Sequence, residues 1–423
     1  MRPGFPRAVA LVGQASSKEV AIFQLRRARI EGYKALSSVE IQLPEKLLFL
    51  IGTNGAGKSS TLQALAFIQF FAADDPLNFF HERGWRPADI RARSSKHNTL
   101  RYSLTLEHTD GRAVVWQFIW GLNSQAVLIE RMWLSEPDTS PRRLFNFTRQ
   151  GGFTSETGAE IRGFLPKGSL LGSLEPNTLS HSPQTTKEVV DWAMGITSLE
   201  LLSPVAMRSN TRGSTQGIGV KGQRLAGFLA ALDAKTKDKI VSRLADFYPL
   251  DNLSTTRKRA GWVDLKISES YQIGAIGAAH ASDGFLRLLA LCAIPEFGHK
   301  SSLVLLDEIE DGIEPHILPR LIERVVADSK SQFIMTSHSP LLINFFPPEE
   351  VMLVTRSDSG ESRLKELSNL EVIRAGGEYL GSGEVWANTG LSILNQQALS
   401  DLPDEDPENM FEYEWPSREL QRP

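Results

Sequence analysis

Two stretches of this 423-residue chain combine the residue types that handle phosphate. In the first, Gly52-Thr53-Asn54-Gly55-Ala56-Gly57-Lys58-Ser59-Ser60 sits between an apolar run, residues 46–51, and helical spacing over 58–72. Glycines let such a loop curl so that its N–H groups point inward, and a helix N-terminus adds positive potential. A lysine at the last turn reaches the outer phosphates, and the next hydroxyl suits Mg²⁺. Gly52, Asn54, Gly55, Ala56, Gly57, Lys58, Ser59 and Ser60 are therefore candidate nucleotide contacts. The bland alternative is a glycine-rich turn with an exposed lysine.

Far downstream, the apolar run 303–306 ends in Asp307 and Glu308. Asp307 suits a metal held through water, and Glu308 suits a base for an attacking water. A carboxylate pair at a strand end is common by itself, and the glycine loop is what makes it specific. Residues 332–336 form another strand-like run leading to Ser337-His338-Ser339-Pro340, where His338 could orient a phosphate or a water at the sheet edge. Ser282-Asp283-Gly284 opens an apolar helical stretch and reads either as an anion nest or as an ordinary cap.

The elements that must position these residues follow from periodicity. Residues 25–43 read as two strands turning at Gly32 and Tyr33, and 102–107 and 114–120 alternate like antiparallel strands. Residues 134–185, dense in Ser, Thr, Gly and Pro, read as loops and short elements. Residues 222–247 carry one interrupted helix or two, and 262–274 a hairpin. Strand, helix and strand over 303–306, 317–327 and 332–336 give the rhythm of a parallel sheet.

Composition bounds the function. With 41% hydrophobic and 23% charged residues the chain is neither collagen-like nor disordered as a whole, and a net charge of −4 argues against a surface built throughout to coat nucleic acid. Cys292, the one cysteine, lies in an apolar helix and reads as packing. The eight histidines have no zinc-like spacing. No run approaches the ~20 apolar residues that span a bilayer, so a cytoplasmic protein without a membrane partner is expected. No sustained heptad appears. Basic and aromatic residues interleave over 81–97, and Arg83, Arg86, Arg91, Arg93 and Lys96 could grip DNA phosphates, with Arg257-Lys258-Arg259 as a second patch; a solvated loop is the alternative. Arg208 and Arg212 fit a phosphate, a partner or plain surface charge. The tail 401–423 is acidic, with Phe411, Tyr413 and Trp415 alternating against glutamates, and reads as unpacked or as a docking strand.

Together these motifs resemble the ATP-binding-cassette-type ATPases of the SMC, RecF and OLD group, AAA-family proteins with a split nucleotide domain, over roughly 25–75 and 220–390. The resemblance implies an α/β fold: a split P-loop nucleotide-binding domain, a mixed sheet flanked by helices, with an inserted α/β lid region and no coiled-coil arm. With composition, which marks a flexible leader (1–20), a loop-rich insert (134–220) and a mostly disordered acidic tail (391–423), it divides the rest into an N-terminal ATPase part (21–133) and a helical lid with the C-terminal ATPase part (221–390). ATP and Mg²⁺ are the implied ligands, with Lys58, Glu308 and His338 catalytic and Ser59 and Asp307 at the metal. Ser282 and Gly284 would contact the γ-phosphate held by a second subunit of a head-to-tail homodimer, and Glu310–Asp311–Gly312 corresponds to the D-loop. Residues 376–386 are similar to stand-alone members that act beside a separate effector in bacterial antiphage systems. The implied function is a dimeric ATP switch regulating a separately encoded effector, a nuclease; the alternative is a RecF-like DNA clamp in repair. Ile309 stands where proline is usual, Glu314 replaces a frequent histidine, and no Q-loop is identified.

Overall fold

The computed structural model describes residues 23–93, 97–200, 202–209, 211–213, 217–271, 273–298, 301–376 and 381–399. The chain begins with β1 (Phe23–Tyr33), β2 (Leu36–Gln42), β3 (Leu47–Ile51), α1 (Lys58–Ala72) and α2 (Pro76–Arg83). A meander follows: β4 (Thr99–His108), β5 (Ala113–Gly121), β6 (Ala126–Ser135), β7 (Arg142–Thr148), β8 (Gly152–Ser155) and β9 (Glu160–Ile161). Then come α3 (Leu170–Ser173), α4 (Pro176–Leu179), α5 (Pro183–Met194), β10 (Ile196–Leu199), α6 (Pro204–Met207) and β11 (Thr211–Arg212). Next are α7 (Leu225–Ala231), α8 (Ala234–Ala245), β12 (Leu250–Arg257), β13 (Trp262–Glu269) and β14 (Ala275–Gly277). The last part runs through α9 (Asp283–Ala293), β15 (Leu303–Leu306), α10 (Leu318–Asp328), β16 (Gln332–Ser337), α11 (Pro340–Ile343), β17 (Val351–Arg356), β18 (Ser362–Glu366), α12 (Glu371–Gly376), α13 (Ser382–Asn388) and α14 (Leu391–Leu399).

Two large sheets result. One is antiparallel, in the order β2-β1-β4-β5-β6-β7-β8-β9; the other, β10-β15-β16-β3-β17-β18, is parallel except for its edge strand β18. Every residue of β3 is buried, as a central parallel strand covered on both faces requires. Its alternation divides two cores: Leu48 and Leu50 join the core shared with the antiparallel sheet, whereas Leu47, Phe49 and Ile51 join the core under α9 and α10. Helix α1 packs its aromatic side against the antiparallel sheet. There Phe71 stacks on Phe118 at 3.9 Å between ring centroids, and the Tyr102 hydroxyl donates to the Ala64 carbonyl at 3.0 Å.

Several local expectations change. The first hairpin turns at Lys34 and Ala35, with Lys34 at φ 50°, while Gly32 is needed for close approach: a Cβ there would stand 2.2 Å from the Thr99 carbonyl oxygen. Residues 134–185, read as loops and short elements, hold the short strands β7, β8 and β9, the one-turn helices α3 and α4 and the start of α5; their identity was not evident because β7 carries polar side chains on its outer face. Glu130 helps anchor this region. Its fully buried carboxylate accepts from Trp116 Nε1, Ser169 Oγ and the Leu170 N–H, which satisfies a loop leading into α3. The expected hairpin is β13 with β14, but β13 also pairs with the unforeseen β12, whose polar sequence suits an edge strand. Residues 391–399, expected in the unpacked tail, form α14; 401–423 lie outside the described residues.

Candidate functional site

The glycine loop leaves the end of β3 and enters α1 through three left-handed glycines, Gly52 (φ 146°), Gly55 (φ 76°) and Gly57 (φ 119°). The first turn of α1 has no acidic residue and no side-chain cap, so its N–H groups and dipole remain available to an anion. The hairpin of β17 and β18 clamps the loop from outside. Arg356 Nη1 donates to the Gly55 carbonyl at 3.0 Å, Ser362 Oγ donates to the Ala56 carbonyl at 2.6 Å, and a Cβ on Gly52 would stand 2.1 Å from the Val354 carbonyl oxygen.

Lys58 is buried, and its ammonium donates to the carbonyls of Gly52 (2.8 Å) and Thr53 (3.1 Å). Burial pulls its pKa below the usual lysine value, opposed by the charges of Asp307, Glu308 and Glu310. Parallel pairing of Leu306 with Met335 brings the ends of β15 and β16 side by side. Thr336 Oγ1 donates to Asp307 Oδ1 at 2.6 Å and accepts the Glu308 N–H at 2.8 Å. Glu308 has φ 49°, a left-handed backbone unusual for a residue with a side chain. The Ile309 N–H donates to the Thr336 carbonyl, and the His338 N–H donates to Glu310 Oε1.

Asn54, Gly55, Gly57, Lys58, Ser59 and Ser60 line one open cavity together with Glu308 and His338. Gly52, Ala56 and Asp307 do not line it; Asp307 accepts the Thr336 hydroxyl and lines a small neighbouring pocket that shares Glu308. Ser282 and Gly284 do not line the cavity. The Ser282 hydroxyl caps α9 by accepting the Phe285 N–H at 3.2 Å, and Gly284 packs against the Gly312 carbonyl. Cys292 is fully buried with its thiol pushed up to about 12 by desolvation, as a packing residue should be.

Of the five cations expected to form one DNA patch, the four described ones have different surroundings. Arg83 is ion-paired to Glu200 and lies over the Phe79 ring with its side chain 6% exposed; Arg86 pairs with Asp89. Arg91 and Arg93 line the glycine-loop cavity, and Lys96 lies outside the described residues. In the second patch Lys258 is ion-paired to Asp264. Arg208 holds Asp283 and the Ala281 carbonyl at the start of α9, and Arg212 donates to the Ala260 carbonyl.

Sequence reasoning missed Lys34, Thr336 and Arg356. Lys34 lines the cavity from the first hairpin turn, its ammonium 3.9 Å from the centre of the Trp85 ring. The only sequence signal was the position of Thr336 two residues before His338 and of Arg356 at the end of an apolar run. A buried ammonium, an uncapped helix N-terminus, the Ser59 hydroxyl and the Asp307 carboxylate form a donor set that fits a nucleotide phosphate with Mg²⁺.

No helix among the described residues is long and apolar enough to cross a membrane. No curated protein matches the chain. Its fold is similar to that of an SMC head bound to the C-winged helix domain of ScpA, at 13% identity and TM-score 0.52, over 81% of this chain and 97% of that one. It is also similar to an SMC head with an extended coiled coil bound to the C-terminal domain of ScpA, from Pyrococcus furiosus, and to an SMC head with a coiled coil and joint from Pyrococcus yayanosii. Each is 11% identical with TM-score 0.50, over 84% of this chain and 99% of the other. The family described as "AAA domain, putative AbiEii toxin, Type IV TA system" matches residues 47–344, from the strand that feeds the glycine loop to the segment beyond His338. That span exceeds half of the sequence, and the chain therefore belongs to this AAA domain family.

Proposed function

We propose that the chain is a Mg²⁺-dependent ATPase whose ATP-closed, head-to-tail homodimer regulates a separately encoded effector, a nuclease, in bacterial antiphage defence. The observation that carries the ATPase reading is the meeting of Lys58, Glu308 and His338 in one cavity over the uncapped N-terminus of α1. Lys58 and the loop N–H groups would hold the phosphates, Ser59 and Asp307 the metal. Bound Mg²⁺ would add positive charge against the phosphates. Glu308 takes the proton of the attacking water, and His338 orients that water or the γ-phosphate.

The dimer reading is supported by two features. Ser282 and Gly284 lie outside the cavity of their own chain, so their contact with phosphate requires a second copy. Leu341 and Phe345, which follow the cavity-lining His338 in sequence, are 62% and 61% exposed apolar side chains that a second copy would cover. The effector reading rests on the sequence likeness of 376–386 to stand-alone ATPases of defence systems; residues 377–380 of it lie outside the described residues.

Phosphate release by the purified chain with Mg²⁺ and ATP tests the first part. Lys58→Ala should lose nucleotide binding, whereas Glu308→Gln should bind ATP, turn over slowly and accumulate as a dimer. Normal turnover in Glu308→Gln would remove that residue from the base role. Affinity capture of Glu308→Gln from its native host with Mg²⁺ and ATP tests the second part. A stoichiometric second protein without nucleic acid supports the regulator; salt-sensitive DNA without a partner favours the repair clamp.

A further inference from the structure

Between the carboxylates at the end of β15 and the histidine beyond β16 lies a residue to which neither motif assigns work. Glu310 Oε1 accepts the backbone N–H of His338, and Glu310 Oε2 is buried without a hydrogen-bond partner. A carboxylate oxygen kept dry and unpaired is costly, and such a group persists where its geometry serves a purpose. Three other hydrogen bonds join the same two segments: Thr336 to Asp307, Glu308 to Thr336, and Ile309 to Thr336. All three act before His338. Beyond Ser337 the strand has ended and Ser339 opens α11 by capping Leu342, so the His338 peptide lies in the gap between two elements. The Glu310 carboxylate is what ties that peptide to the loop carrying Glu308.

We propose that Glu310 is a positioning residue, holding the His338 peptide so that the imidazole and the Glu308 carboxylate keep a fixed separation across the cavity. The inference rests on the reading of this cavity as an ATP-hydrolysis site. Glu310 does not line the cavity itself, so its action passes through His338.

A double-mutant cycle with His338 tests this, because a brace serving stability alone would not couple to the imidazole. Glu310→Ala should lower kcat for ATP hydrolysis about tenfold or more while leaving the Kd for ATP within about threefold of wild type. Glu310→Gln, which keeps an acceptor for the His338 N–H, should recover most of that loss. In the His338→Ala background, Glu310→Ala should cost nothing further. A kcat within about twofold of wild type in Glu310→Ala, or a double variant whose loss equals the product of the two single losses, overturns the proposal. Glu310→Asp withdraws the carboxylate by one methylene and is carried through the same cycle, deciding the matter if alanine does not fold. An inactive wild type whose nucleotide binding is unaffected by Lys58→Ala would sink the ATPase reading and this inference with it. An active wild type matched by Glu310→Ala sinks this inference alone.

Discussion

Thr336 and Asp307 share a hydrogen bond of 2.6 Å in which the threonine hydroxyl donates, and the same oxygen accepts the Glu308 N–H at 2.8 Å. One side chain on the neighbouring strand thereby orients the carboxylate assigned to the metal and pins the left-handed peptide of the residue assigned as base. Parallel register makes this unavoidable, since Met335 opposite Leu306 puts Thr336 beside Asp307.

Replacing Thr336 by valine keeps the branched shape and removes both bonds. The bond to the charged Asp307 carboxylate, worth about 1.5–3 kcal/mol, is the larger of the two, and its loss alone should lower hydrolysis roughly tenfold to a hundredfold. Thr336→Ser should stay near wild type. Phosphate-release assays at saturating ATP compare the two variants, and equal rates in valine and serine would show that the hydroxyl is idle.

Gly52→Ala should be far more damaging than an ordinary glycine substitution. The new Cβ would meet the Val354 carbonyl oxygen at 2.1 Å at a φ of 146°, and the three nearest atoms are all Val354 backbone, with no flexible side chain to yield. A loss of about 3 kcal/mol or more is expected from urea unfolding, or failure to fold. Gly84→Ala, also at positive φ but with nothing within 4 Å, should cost only about 1 kcal/mol.

Arg356→Ala removes the clamp on the Gly55 carbonyl without touching Lys58. Nucleotide affinity should weaken by roughly tenfold as the loop loses one charge-assisted bond, with the unfolding midpoint little changed. Titration calorimetry with a slowly hydrolysed ATP analogue reads the first, and thermal unfolding the second.

Stability should carry a signature of Glu130. Burial raises its pKa from the ordinary 4.5 to about 7, against the hydrogen bonds from Ser169, Leu170 and Trp116 that favour the charged form. Between those two values the folded chain holds a proton that the unfolded chain has lost, so stability falls as pH rises through the window, by at most about 3 kcal/mol. Glu31, also raised to about 7 by burial, adds a slope of the same sign. The comparison with Glu130→Gln isolates Glu130: urea midpoints at pH 5 and pH 8 should differ less in the variant than in wild type. An unchanged difference would mean that Glu130 titrates normally.

The glycine loop and the strands beside it were legible because their signals are local. Glycines at 52, 55 and 57 are written into the loop that needs their positive φ, and the apolar runs 46–51 and 303–306 stand out as strands buried on both faces. Short strands with polar outer faces, such as β7 and β12, were not legible, because half of each strand meets solvent and its hydrophobic pattern is too brief to detect. Arg83 shows the same limit for charge. Its sequence neighbours suggested a DNA patch, while its partner Glu200 is more than a hundred residues away.

By its sequence alone the chain determined a glycine loop between strand and helix, two carboxylates closing an apolar strand, and a histidine after another. These depend on residue type and short-range period, which chain order carries in full. Tertiary structure alone decided the full strand order β10-β15-β16-β3-β17-β18, that Thr336 reaches Asp307, that Arg356 and Ser362 clamp the loop, and that Arg91 and Arg93 turn to the cavity. Strand order and the satisfaction of buried polar groups are set by burial and hydrogen bonding between distant segments, and no local spacing encodes them.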